Sequence, residues 1–345
     1  MSAADGRVRI LRSAVESLAG KRVLVLGDMI LDEFVFGRTE RVSREAPVVI
    51  VRYDDTGYSP GGAANAAQNV AALGGTAVPV SVVGADVSGE RLASLLRSRG
   101  VGVRHLVVER GRITATKTRI MAGDFHAQRQ QVLRIDRGED GPISRRAEER
   151  MLAIFEREVR RAGAVLLSDY HQQCFTPRVI KETISLCRAH RVPAVVDSRF
   201  RLGEFKGITV ATPNEVEAAQ AAGIELGSRG ALERIGRRLL RRLAARAILV
   251  TRGRFGMTLF EPVRKSVSAE VVGSSEATDV TGAGDTVAAV VALALAAGQT
   301  MVGAMRLANI AASIVVMKRG TAVASREEMV RAIDELERGG GSRCD

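Results

Sequence analysis

The stretch DVTGAGDT, residues 279–286, sets Gly282, Ala283 and Gly284 directly before Asp285, and a run of small apolar residues from Val287 to Ala297 follows. Such a run predicts a helix starting near Ala283. Its first backbone N–H groups have no partner inside the helix and carry partial positive charge. The glycines let an anion approach those amides, so the segment can hold a phosphate or another oxyanion. Asp285, in the first turn, can then take a proton from an attacking hydroxyl. The combination suits phosphoryl transfer to an alcohol, with Asp285 as base and Gly282, Ala283 and Gly284 as the anion hole. On these eight residues alone, a glycine turn whose acid complements the helix dipole is the competing account. The spacing is not the GxGxxG of a dinucleotide site, and no GxxxxGK[ST] occurs in the chain.

A second segment, SPGGAANAAQNVAALGG (residues 59–75), places Gly61, Gly62 and Asn65 at the start of an Ala-rich helix. The alanines suit tight helix packing. The paired glycine allows close backbone approach, and the Asn65 amide can donate to and accept from sugar hydroxyls.

These segments need a scaffold, and the pattern between them is α/β. Short apolar runs at 22–28, 77–84, 164–170, 192–198 and 247–253 each end in Gly, Asp, Ser or Thr. They alternate with helix candidates at 62–73, 88–99, 145–162, 176–190, 214–222, 229–244, 284–297, 301–317 and 325–337. A mostly parallel central sheet is expected, with ligands at the carboxyl ends of its strands. Two stretches break the alternation. Residues 33–55 and 113–136 look β-rich and lack the pattern of a crossover helix, so they are expected to form a small sheet that serves as a lid, a dimerisation surface, or both. One domain over 1–338 with this lid, and a flexible tail over 339–345, is the economical division.

Composition narrows the function classes. The net charge of +12 comes mostly from dispersed arginines, and aromatic residues make up only 3% of the chain, which leaves little for bases to stack on. Specific nucleic-acid binding is not expected. In the segment 229–244, Ile235, Leu239, Leu240 and Leu243 keep helical spacing, so its arginines read as a solvated helix face. Three cysteines without a CxxC pair and four histidines without HxxxH suggest neither a disulfide framework nor a zinc site. The first residues lack an apolar h-region and no apolar run approaches membrane-spanning length, so a cytoplasmic protein without a membrane partner is expected.

With GGAANAAQNVAALGG and DVTGAGDT in this order and separation, the chain resembles the ribokinase-like (PfkB) carbohydrate kinases from end to end. A nearer resemblance, to bacterial D-glycero-β-D-manno-heptose-7-phosphate kinases, rests on VLVLGDMILDEFVFGRTERVSREAPVVIV, TKTRI, LRID, LLSDY, TPNEVE and LVTRGRFGMTLF, also in order. The resemblance implies a ribokinase-like three-layer fold, a β-lid that often builds a homodimer, and ATP with Mg²⁺ as cofactors. It implies transfer to the anomeric hydroxyl of a sugar phosphate, in the synthesis of a lipopolysaccharide precursor. By the same resemblance, Asp28, Asp32, Gly61, Gly62 and Asn65 contact sugar. Asn214 and Glu217 act on the metal through water, with Asn214 also near the nucleotide. Thr251, Gly253, Gly256 and Asn309 form the nucleotide wall. Lys117, Arg119 and Arg134, in the lid region, are candidates for a distal phosphate, with exposed lid charge as the alternative.

Two segments depart from the pattern. HQQC (171–174) stands where a lysine and glycine are usual, and VVDSRF (195–200) where Asp-Pro-Lys is common; Arg199 or Arg201 is the candidate to compensate. The HxGH motif of a nucleotidyltransferase, which two-domain homologues carry, is absent, so the kinase step alone is expected. A kinase for ribose, fructose or a nucleoside, and an inactive sugar-binding homologue, are the alternatives.

Overall fold

The computed structural model describes residues 3–123, 129–138, 141–272 and 277–340. Helix α1 (Ala3–Glu16) leads into strand β1 (Arg22–Gly27), followed by β2 (Met29–Val42), β3 (Val49–Gly62), α2 (Ala63–Ala72), β4 (Thr76–Gly84), α3 (Val87–Ser98) and β5 (Leu106–Glu109). Next come β6 (Thr116–Gly123), β7 (Gln130–Arg137), α4 (Arg145–Val159), β8 (Ala164–Asp169), α5 (Pro177–Ala189), β9 (Ala194–Ser198), β10 (Val210–Ala211) and α6 (Glu215–Ala222). The chain finishes with α7 (Ala231–Leu243), β11 (Ala247–Thr251), β12 (Met257–Phe260), β13 (Val267–Ala269), α8 (Ala283–Ala296), α9 (Met301–Val315) and α10 (Arg326–Gly340).

Nine strands form the central sheet in the order β13-β12-β11-β10-β9-β8-β1-β4-β5. Pairing is parallel from β11 through β5, and only β12 and β13 run antiparallel to their neighbours. Helices cover both faces, which is why the parallel strands read as continuous apolar runs. Along β1, Val23 and Val25 enter the core built with α2, α8 and α9, whereas Leu24 and Leu26 enter the one built with α4, α5 and α7. The alternation of side chains in a strand thus feeds two cores at once.

Local chemistry sets the helix boundaries. Ser144, Thr176 and Thr300 each cap a helix by accepting from a backbone N–H three residues on, and Pro177 sits in the first turn of α5. Helix α7 buries Ile235, Leu239, Leu240 and Leu243, as its spacing predicts. Helix α8 is apolar nearly all round because Asp285 through Ala294 are all buried, packed between the sheet and α9.

The two β-rich insertions do pair into one four-stranded sheet, ordered β3-β2-β6-β7, with β2 and β6 parallel. Its strands reach further than the expected segments. β2 starts at Met29, so Asp32 belongs to the lid, and β3 runs through Gly62, so the glycine pair ends a strand while Gly62 also caps α2. Residues 124–128 of the expected lid lie outside the described residues. The sequence pattern did not indicate α1, β5, β10, β12 or β13. The tail boundary is corrected as well: α10 continues through Gly340, past position 339, and 341–345 lie outside the described residues.

Candidate active site

Asp285 sits in the first turn of α8 and is 3% exposed. Gly282 caps this helix at φ +79, a conformation that L side chains avoid, and a Cβ there would lie 2.5 Å from Asn65 Nδ2. Both carboxylate oxygens are engaged: the Tyr170 hydroxyl donates to Oδ1 at 2.5 Å and the Asn65 amide to Oδ2 at 2.7 Å. Burial raises the Asp285 pKa to about 6, against the two donors and the positive field of Arg199, which hold it down.

Asn65, expected at sugar, is 0% exposed and gives its amide to Asp285. Its Oδ1 accepts from Gln68 Nε2 at 2.6 Å and Asn69 Nδ2 at 3.1 Å, so the amide nitrogen must face Asp285. The Thr286 hydroxyl donates to Asn69 Oδ1 at 3.0 Å and completes the junction between α2 and α8.

Asp28, likewise expected at sugar, has partners within the protein. It is 2% exposed, and its Oδ2 accepts from the backbone N–H groups of Tyr170 (2.8 Å) and Gln172 (3.0 Å), its Oδ1 from that of Cys174 (3.1 Å). The carboxylate is consumed in anchoring the loop after β8, where His171 and Gln173 take positive φ. Burial, together with the Asp169 charge, raises its pKa to about 6.

Asp32 and Arg119, expected at sugar and phosphate respectively, pair with each other at 2.6 Å across β2 and β6. A Cβ at Gly61 would lie 2.5 Å from Asp32 Oδ2, so glycine is what leaves that carboxylate room. Gly62 is paired with Met29 at the end of the lid strand. Arg134 lies on β7, half exposed, and pairs with Asp136 at 2.9 Å. Lys117 alone of the three lid cations reaches Tyr170, with Nζ 5.5 Å from the ring centroid; burial and the neighbouring Arg199 charge lower its pKa. Arg199 stacks on the same ring at 4.2 Å. Arg201 instead donates to Asp169 at 3.0 Å and to the Phe175 carbonyl at 2.9 Å, so Arg199 is the arginine that faces the cleft.

Thr251, Gly253, Gly256 and Asn309 all line one cavity of about 380 Å³, together with Ala283 and Gly284. A Cβ at Gly284 would meet nothing within 4 Å, so this face of α8 is open to a ligand. Asn309 donates to the Glu270 carbonyl at 2.6 Å, holding the strand that borders the cavity. A larger groove of about 790 Å³ runs along α5 and shares no residue with these groups.

Asn214 and Glu217 form a reciprocal cap at the start of α6, each side chain accepting from the other's backbone N–H at 2.9 Å. Asp197, at the end of β9, has its pKa pushed well up by burial, then by Asp285 and Glu217; burial likewise raises that of Glu217. Two acids that feel each other's charge suit a divalent cation. Among the described residues no three His, Cys, Asp or Glu side chains are placed to bind one directly, so contact through water suits this donor set better.

Tyr170 and Asp197 carry the site yet stand outside the sequence-based selection. Their signal was position at the carboxyl end of a parallel strand: Tyr170 closes LLSDY, which follows the family pattern, and Asp197 lies in VVDSRF, which departs from it.

A model of the pfkB family carbohydrate kinases matches residues 21–328. The "Bifunctional protein HldE" of Caulobacter vibrioides is 40% identical over 316 residues, covering 91% of this chain and 63% of that one. Its namesake from Desulfatibacillum aliphaticivorans is 37% identical over 309 residues, 89% of this chain and 62% of that one. The chain thus spans somewhat less than two thirds of these curated relatives. Among solved structures, an Arabidopsis thaliana ribokinase complexed with ribose and ATP superposes with a TM-score of 0.72 at 21% identity, over 91% of this chain and 99% of that one. Phosphofructokinase-2 from Escherichia coli, in complex with potassium, gives 0.73 at 18% identity, over 93% and 100%. At these identities the likeness concerns the fold, which is ribokinase-like.

Proposed function

The chain belongs to the pfkB family of carbohydrate kinases, phosphotransferases with a hydroxyl acceptor, and on that premise we propose that it phosphorylates the anomeric hydroxyl of D-glycero-β-D-manno-heptose 7-phosphate at the expense of ATP. The carrying observation is Asp285, a buried carboxylate at the N-terminus of α8, with the open backbone of Gly284 beside it lining the cavity. Adenine and ribose occupy the cavity against Thr251, Gly253, Gly256 and Asn309. The amides of Gly282, Ala283 and Gly284 steady the transferring phosphoryl group while Asp285 takes the proton of the attacking hydroxyl. Bound Mg²⁺ neutralises triphosphate charge, met through water by Asn214 and Glu217 with Asp197 nearby. Lys117 and Arg199, which converge on Tyr170 and among the described residues form no salt bridge, supply the positive charge that a phosphorylated sugar requires. The 7-phosphate rests on the likeness to the curated relatives.

The lid is the surface for a homodimer: β7 is exposed throughout and carries Val132, Leu133 and Ile135 outward. Light scattering on the purified chain tests it. No helix among the described residues is long and apolar enough to cross a membrane, and an ATP-dependent kinase of this kind works in the cytoplasm.

ADP release, coupled to a spectrophotometric reporter, over a panel of sugars and sugar phosphates tests the substrate. The heptose 7-phosphate should give the highest kcat/KM, and equal or better turnover of ribose, fructose or a nucleoside would overturn that assignment. Calorimetric sugar binding without ADP release would mark an inactive binding homologue instead.

A further inference from the structure

Tyr170 has no part in the chemistry above, yet it is the most constrained side chain at the site. Its backbone N–H is held by Asp28, its ring packs with Ile30 and Ala115, Lys117 and Arg199 lie against the ring, and its hydroxyl ends on Asp285. A phenol donating to a buried carboxylate has two opposite meanings. It can stand where the acceptor alcohol must enter and be displaced by it, or it can stay and fix the base.

The packing separates them. Displacing the hydroxyl means moving a ring that is 9% exposed and pinned from β8, β6 and the segment after β9 at once. The other oxygen of Asp285 is fixed equally firmly, since the Asn65 amide cannot turn without facing two donors from Gln68 and Asn69. A carboxylate gripped at both oxygens by neutral donors keeps one orientation and favours its ionised form, while each oxygen retains a further lone pair for an incoming proton.

We propose that Tyr170 is a positioning residue for phosphoryl transfer: with Asn65 it holds the Asp285 carboxylate in a single orientation and in the ionised state a base needs. The charged and titratable groups facing Asp285 are Tyr170 from the end of β8, Arg199 after β9, Asp197 on β9 and Asp32 on β2; Asn65 on α2 is the neutral donor. Arg199 favours ionisation and the two acids oppose it, so the phenol is the donor whose removal tips the balance.

The inference rests on Asp285 as the base, and the test keeps the two apart. Tyr170→Phe retains the ring and should retain ATP affinity. Its kcat should fall about tenfold or more, as for loss of a hydrogen bond to a charged group. The acid limb of its kcat/KM profile should move up by roughly one pH unit, a change that a merely structural role would not produce. An unchanged limb and kcat, or a lower KM with undiminished kcat, overturns the proposal, the latter because it makes the phenol a competitor of the acceptor. Site-specific 3,5-difluorotyrosine at position 170 preserves shape and strengthens the donor, so the limb should move down; no movement counts against the proposal even if the phenylalanine variant folds poorly. If the wild-type chain transfers phosphate to no acceptor, the functional reading fails by itself. The Asp285 titration, followed by carboxyl ¹³C NMR, still decides the clamp, with the same upward shift in Tyr170→Phe expected and its absence overturning it.

Discussion

Asn65 and Asp285, 220 residues apart in the chain, are joined by a 2.7 Å hydrogen bond that locks the first turn of α2 to the first turn of α8. The two segments with the clearest sequence signals therefore meet in one contact. That contact engages the Asn65 amide, whose position in the sequence pointed to a sugar.

Asp285→Asn should keep the fold and ATP binding while kcat drops by at least ~10²-fold, the usual cost of losing a general base. Calorimetric ATP titration beside steady-state kinetics checks it; near-normal turnover would remove Asp285 from its role.

The same variant carries a signed dependence of stability on pH. The folded Asp285 pKa, about 6, stands above its unfolded value of 3.8, so the native state holds the proton more tightly. The associated stability is full below about pH 4 and is lost as pH rises through about 6. Relative to Asp285→Asn, the wild type should lose roughly 2 kcal/mol between pH 4 and 7, most of the free energy that separates a carboxyl group titrating near 6 from one titrating at 3.8. Paired urea denaturation series read the difference, and a gap that stays constant with pH contradicts it. For activity the sign reverses, because a protonated base is idle, and kcat/KM should fall below about pH 6.

The two glycines that flank Ala283 should respond in opposite ways. Gly282→Ala forces a side chain into positive φ and against Asn65, and should destabilise by more than ~1 kcal/mol. Gly284→Ala meets open space within a helix, so it should be neutral or stabilise by roughly 0.5–1 kcal/mol. It should also raise the KM for ATP, because the methyl group projects into the cavity. Thermal melts and ATP kinetics on both variants distinguish the effects, and equal behaviour would refute the assignment of the Gly284 side to nucleotide.

Arg199→Ala should raise the KM for the phosphorylated sugar substantially with little change in melting temperature. Arg201→Ala, which strips Asp169 and the Phe175 carbonyl of a donor, should mainly lower the melting temperature. An unchanged KM in Arg199→Ala would reject its place at the anion.

Much of the architecture is legible in sequence because its physics is local. Parallel strands covered on both faces become apolar runs, α8 betrays its burial by having no polar face, and Ser144 or Thr176 marks a helix start. The grouping of Thr251, Gly253, Gly256 and Asn309 was legible too, as the four share one cavity. The protein partners of Asp28 and Asp32 were not legible, for the opposite reason. A carboxylate at a strand end looks the same whether it waits for a ligand or is consumed, and the consumers here, three loop amides and Arg119, come from distant parts of the chain. Tyr170 was visible only as the last residue of LLSDY at a strand end, because a tyrosine says nothing of which acid its hydroxyl will meet.

From β1 the central sheet extends toward one edge through β8, β9, β10, β11, β12 and β13 in the order the ribosome makes them. A nascent chain can therefore add each strand to a ready neighbour, while Asp285 emerges only after the last of them. Synthesis would then yield a platform with its lid before any base exists to spend ATP. A chain halted after Ala269 should accordingly resist protease across β8 to β11 yet release no ADP; digestion throughout that region would exclude such stepwise growth.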